Sequence, residues 1–294
     1  MKVNHLIHLY EQGARDFTGV DLKGVDLSGV ALIGVNLRGA NLTGANLSRA
    51  FLTKSDLSEA LLNWADLSFI KMSEGKMINA DLTKTNLNGA FLVKAKLPGA
   101  KMSGANLSSI NLRAAYLWGA NFCGASLIRA NLREANLNGV NFNWANLSEA
   151  RLSGAKLYGA SFNNTNLSRA FLKGLDLMGV ELAGVNLSEA KLSGSNLEGA
   201  NLVSAVMSDA ALRATNLTGA NLSKANLSRA SLEEANLTWA IFNQADLTGA
   251  NLSGAALNGT QFDGALLKNI KVSDTFSDFF YSAAHERMRA AMAV

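Results

Sequence analysis

An all-β solenoid follows from three features of this 294-residue sequence. One large apolar residue occupies every fifth position from Phe17 to Val272 without a slip; of these 52 positions, 41 are Leu, 6 Phe, 4 Met and one Val. Two residues before each stands a small or β-branched residue, mostly Ala or Val, as in Ala40-Asn41-Leu42-Thr43-Gly44-Ala45-Asn46-Leu47. Residues 20 apart share character, so four five-residue segments close one coil.

The period of five decides the geometry. On an α-helix a step of five turns through about 500°, so the Leu residues would wander around the axis without forming a stripe. In a continuous strand an odd step sends successive Leu to opposite faces. Burying all of them requires a corner once per five residues, in a coil whose turns stack about 4.8 Å apart with β-type hydrogen bonds.

Coil size is read from the columns. Phe122, Phe142, Phe162, Phe242 and Phe262 fall in one column at steps of 20, and Gly99, Gly119, Gly139, Gly159, Gly179, Gly199 and Gly219 in another. Ser148, Ser168, Ser188, Ser208 and Ser228 form a third, and a fourth alternates in sign through Arg129, Glu149, Arg169 and Glu189, then Asp209 and Arg229. Coils of 15 would scatter all four. Each buried Leu contributes about 1.5–3 kcal/mol. The Asn columns, Asn86 with Asn106 and then Asn146, Asn166 and Asn186, are expected to bond along the stack as an amide ladder.

From Arg15 to Ile270 the sequence resembles the pentapeptide-repeat family, whose consensus A-(D/N)-L-x-x it matches almost throughout. The resemblance implies a right-handed quadrilateral β-helix of about 13 coils, with the central Leu and preceding Ala inward and the other three positions outward. The opening Gly13-Ala14-Arg15-Asp16-Phe17-x-Gly19-Val20-Asp21-Leu22 also resembles the start of many cyanobacterial members. Arg15 departs from the small inward residue and is expected to cap the first corner.

A solenoid needs its ends covered, so short α-helical caps are expected at both. The division is 1–13 as an N-terminal capping helix, 14–272 as repeat and 273–294 as a C-terminal capping or dimerisation helix. Val3, Leu6, Ile7 and Tyr10 have helical spacing before Gly13, and Phe276, Phe279, Phe280, Ala284, Met288 and Met292 share a helical face after Asp274. The resemblance implies end-to-end homodimerisation through the C-terminal element as the alternative to a plain cap.

Composition narrows the setting. The sole proline, Pro98, and the unbroken register argue for one repeat domain, and no 18-residue apolar stretch predicts membrane insertion. The N-terminus lacks the apolar core of a signal peptide, and the single Cys123 offers no disulfide framework, so a cytoplasmic location is expected. His5, His8 and His285 sit in the terminal segments; no third ligand joins His5 and His8, and no basic group activates Cys123. The glycines follow the five-residue rule rather than preceding a helix, so no phosphate loop is present. No enzyme, cofactor or metal is expected.

The outward residues are more informative when sorted by face. The face centred on Leu32, Leu52, Met72 and onward carries Lys54, Lys71, Lys94, Arg113, Arg133, Arg151, Lys173, Lys191, Arg213 and Lys271 against Glu74, Glu134, Glu233 and Glu234. The other three faces are near neutral, while the whole chain is +4. On this face Phe51, Phe91 and Phe171 replace the usual outward Asn or Asp. The candidate docking residues are therefore Phe51, Lys71, Phe91, Arg113, Arg133, Arg151, Phe171, Lys173, Lys191 and Arg213, meeting an acidic protein partner with Phe anchors and a cationic rim. The bland alternative is ordinary solvated surface, with Phe packed on Lys stems. Trp64 and Trp144 share a column of a neighbouring face.

Topoisomerase protection by DNA mimicry, an activity the resemblance brings with it, needs a strongly negative surface, which this chain lacks. Direct binding of nucleic acid or another anionic surface is disfavoured because the cations run along a straight line while duplex phosphates wind away. The expected function is a rigid, non-enzymatic scaffold.

Overall fold

A computed structural model describes residues 1–273. The chain divides into two compact units, Met1–Ser161 and Phe162–Val294. Each unit is a β-solenoid. In the first, parallel bridges join residues 20 apart from Asp16↔Asn36 to Asn141↔Ser161; in the second they run from Asn166↔Asn186 to Asn251↔Lys271.

Every five-residue segment repeats one local device. A bridge residue pairs with the coils on either side, the next residue points inward, and a turn follows. At the corner the backbone enters the left-handed region, at Gly or at L-residues such as Arg49 (φ 59°) and Phe69 (φ 55°). The turn closes when a backbone N–H reaches back three residues, as Ala40 N–H does to the Leu37 carbonyl at 3.1 Å. Coils are joined by bonds such as Leu37 N–H to the Asp56 carbonyl (2.7 Å) and Asp56 N–H to the Val35 carbonyl (2.9 Å). This device turns the period of five into a corner, and from Val35 to Ala155 the small residue two before each inward side chain is buried beside it, while Val20, Val25 and Val30 near the N-terminal end are half-buried.

The core is a stack one side chain deep per segment. The inward Leu, Met and Phe from Phe17 to Leu257 are buried. Phe122 and Phe142 stack with centroids 5.4 Å apart and planes 12° from parallel, and Phe242 and Phe262 repeat this in the second unit at 5.4 Å and 13°.

Where a hydroxyl replaces the small inward residue, it is bonded to buried backbone. Ser55 Oγ donates to the Leu32 carbonyl (2.9 Å) and accepts from Val35 N–H (3.2 Å) in the preceding coil. Thr85 Oγ1 donates likewise to the Leu62 carbonyl at 2.8 Å. Ser55→Ala strips two buried backbone groups of a partner. It is expected to cost about 1–3 kcal/mol, read as a lowered midpoint of denaturant unfolding.

The asparagines behave differently from a simple ladder. Asn106 Nδ2 does donate to Asn86 Oδ1 at 3.2 Å. Their recurrent bond is local, however: the Oδ1 accepts the backbone N–H two residues on, as Ser108 to Asn106 (3.2 Å) and Ser148 to Asn146 (3.0 Å). The amide shapes its own turn first, which is why Asp serves in the same position, as Asp66 does for Ser68 at 2.9 Å.

Helix α1 spans Val3–Glu11 and ends at Gln12, with Gly13 at φ 98°. Of its apolar face Leu6 is fully buried, while Val3, Ile7 and Tyr10 are half-buried. The Tyr10 hydroxyl accepts from Ile33 N–H (3.1 Å), and the Met1 amino group donates to the Asp21 carbonyl (2.6 Å). Arg15 donates to the Tyr10 and Ala14 carbonyls, both at 2.8 Å, and stacks 3.9 Å over the Tyr10 ring. Arg15 is exposed rather than inward, and it ties the end of α1 to the first corner as a cap. The expected C-terminal helix, with Phe276, Phe279, Phe280, Ala284, Met288 and Met292, lies outside the described residues. Among the described residues no helix is long and apolar enough to cross a membrane.

Candidate docking face

In the first unit the outward column of the cationic face is a bridged ladder: Ala31, Phe51, Lys71, Phe91, Asn111, Asn131 and Arg151. Its two phenylalanines remain 38% and 44% exposed. The Lys71 ammonium sits 4.7 Å from the centroid of the Phe51 ring. That interaction is worth roughly 0.5–1 kcal/mol at an exposed site, so part of the Phe51 ring is covered from within the molecule, as the bland alternative requires. It leaves an apolar ring and a cation presented together.

The arginines farther along the same face are engaged. Arg113 pairs with Glu134 at 2.9 Å, and Arg133 Nε donates to Asn131 Oδ1 at 3.1 Å. Arg151 is exposed at the last coil of this unit. Lys54, Lys71 and Lys94 carry the cationic charge around the two rings, with Glu74 as the one carboxylate among them.

In the second unit the corresponding ladder is Phe171, Lys191, Ala211, Ser231, Asn251 and Lys271. Phe171 is 38% exposed, and Lys173 and Lys191 are exposed. Arg213 is paired with Glu234 at 2.8 Å; that hydrogen bond and then the carboxylate charge hold its guanidinium above the usual pKa. Asn251 Nδ2 donates to Glu233. This unit thus presents one aromatic residue with three lysines, Lys271 among them, against two rings and three lysines in the first.

Two residues escaped the sorting by face. Arg49 and Phe69 stand at the corner leading into the cationic face, two residues before Phe51 and Lys71. Phe69 is 50% exposed, and its ring lies across Gly89, where an added Cβ would come within 2.6 Å of it. The Arg49 guanidinium is 6.0 Å from the Phe69 centroid. A bulky aromatic residue at positive φ is a costly choice where Gly serves elsewhere. That mismatch between residue and corner was the available sequence signal. Trp64, on another corner, has the Lys84 ammonium 4.5 Å from its ring centroid and stays 62% exposed. Among the described residues no group of three or more His, Cys, Asp or Glu side chains could hold a metal.

The family model for pentapeptide repeats matches in eight copies, at 16–39, 36–73, 76–113, 105–143, 145–182, 181–219, 205–244 and 230–269. The chain belongs to the pentapeptide-repeat family. Among solved structures it is 30% identical to HetL, a pentapeptide repeat protein involved in heterocyst differentiation regulation from the cyanobacterium Nostoc sp. strain PCC 7120; the match covers 93% of this chain and 98% of that one, with a TM-score of 0.32. A thylakoid-lumen pentapeptide repeat protein of Arabidopsis thaliana is 27% identical over 38% of this chain and 79% of that one, with a TM-score of 0.26. QnrB1, a plasmid-mediated fluoroquinolone resistance protein, is 19% identical over 90% of this chain and 97% of that one, with a TM-score of 0.29. No curated protein sequence gives a match.

Proposed function

We propose that this pentapeptide-repeat protein is a non-enzymatic, cytoplasmic scaffold: a right-handed quadrilateral solenoid, closed by helical caps, that docks an acidic protein partner through the cationic and aromatic ladder of its first unit. The observation that carries the reading is the pair of half-exposed rings, Phe51 and Phe91, flanking Lys71 at a position of the repeat whose consensus residue is Asn or Asp. Exposed aromatic residues among cations match the composition of interface anchors. Arg113 and Arg213 already hold carboxylates, so the reading centres on residues 51–94 and gives the far arginines a minor part.

An affinity pull-down from native lysate tests it. Lys54→Glu/Lys71→Glu/Lys94→Glu is expected to lose a specific protein that the native chain retains, with affinity down about tenfold or more. Arg113→Glu/Arg133→Glu/Arg151→Glu is expected to lose less. Equal retention by all three proteins would make the face ordinary surface. Retention that collapses between low and moderate salt, with nucleic acid in the eluate, would favour phosphate binding instead.

A further inference from the structure

Two rows of outward side chains run side by side along one edge of the first unit. One is the ladder Phe51, Lys71, Phe91; the other is the corner row Arg49, Phe69, Gly89. The next corner adds Lys54, Glu74 and Lys94 on the far side of the ladder. Three half-exposed rings are thus bordered by Arg49 on one flank and by Lys54 and Lys94 on the other, with Lys71 between them and Glu74 the only carboxylate of the patch.

We propose that this patch receives an acidic amphipathic α-helix of the partner, lying parallel to the solenoid axis of the unit. The inference rests on the docking reading above and names the element that docks. Spacing selects it. Phe51 and Phe91 are two coils apart, about 9.6 Å at the usual strand separation. Same-face residues seven apart on an α-helix rise about 10.5 Å, which meets that distance to within about 1 Å. An extended segment places same-face side chains at about 6.7 and 13.4 Å, missing it by roughly 3 Å or more either way.

Charge and chemistry fit the same element. A helix with apolar residues at i, i+3 or i+4, and i+7 sets its stripe over the rings. Acidic residues on its two flanks then approach Arg49 on one side and Lys54 and Lys94 on the other. A second copy of this patch would bring like charges together, so self-association here is opposed by the same cations.

Photo-cross-linking in the full chain reads the partner's geometry directly. Benzoylphenylalanine replaces Phe51 in one protein and Phe91 in another, and each is irradiated in native lysate before the adducts are mapped by mass spectrometry. Both positions are expected to capture one protein, at sites about six to eight residues apart within one acidic segment. A probe replacing Asn131, on the same ladder but outside the patch, is expected to leave that segment unlabelled. A synthetic peptide of the segment is expected to bind, and proline at its centre to weaken binding at least about tenfold.

Sites two to four residues apart, or no effect of the proline, would overturn the helix and leave the docking face standing. Capture of one protein through a segment without acidic residues would overturn the charge match. Nucleic acid, unrelated proteins at the two positions, or no adduct at either would overturn both this inference and the docking reading.

Discussion

Phe122→Ala is expected to destabilise the first unit by about 3–5 kcal/mol, read as a lowered midpoint in denaturant unfolding followed by circular dichroism. Phe122 is fully buried, and its ring stacks on Phe142 at 5.4 Å. The coils on either side are held at bonding distance, Phe122 N–H to the Asn141 carbonyl at 2.8 Å and Asn121 N–H to the Ala100 carbonyl at 2.9 Å. The backbone therefore has little freedom to close a cavity. The neighbour with most freedom to relax is Met102, one coil earlier in the same inward column, whose flexible thioether would move the cost toward the lower figure. Phe122→Leu keeps most of the volume and is expected to cost well under half as much. A loss below about 1 kcal/mol for the alanine variant would show that the ring is not packed as described.

The core was legible in the sequence because its rule is one-dimensional. A strict step of five admits neither a helix nor a plain strand, and the Phe column at steps of 20 sets the coil by itself. The sign-alternating column also became pairs: Arg129 with Glu149 at 2.9 Å, Arg169 with Glu189 at 2.9 Å and Arg229 with Asp209 at 2.6 Å. The diagonal pairs were missed. Arg113–Glu134 and Arg213–Glu234 are 21 residues apart, so the tally by face set these carboxylates against the cations as a sum without joining either pair. Arg49 and Phe69 were missed for a related reason, since a corner residue borders two faces and was counted with the preceding one. The boundary between the two units at Ser161 and Phe162 left no mark either, because the period passes through those residues unbroken.

Phe51→Ala/Phe91→Ala is expected to weaken partner binding by about 100-fold or more, with each ring contributing on the order of 2 kcal/mol as an interface anchor. Folding is expected to change little. Both rings stand outside the core, and the chief interaction removed is that of Lys71 with Phe51, worth roughly 0.5–1 kcal/mol. The bridges of the ladder are backbone bonds, such as Phe51 N–H to the Val30 carbonyl at 2.9 Å and Phe91 N–H to the Ile70 carbonyl at 2.8 Å, and alanine keeps them. The variant therefore separates binding from stability: isothermal titration reports the first and thermal melting the second. Arg113→Ala is the matched control. Its side chain shares the face but is held by Glu134, so the same titration should change by less than about threefold. If the double variant bound as tightly as the native chain, the half-exposed rings would be covered surface, and the docking face would have to be sought elsewhere on the molecule.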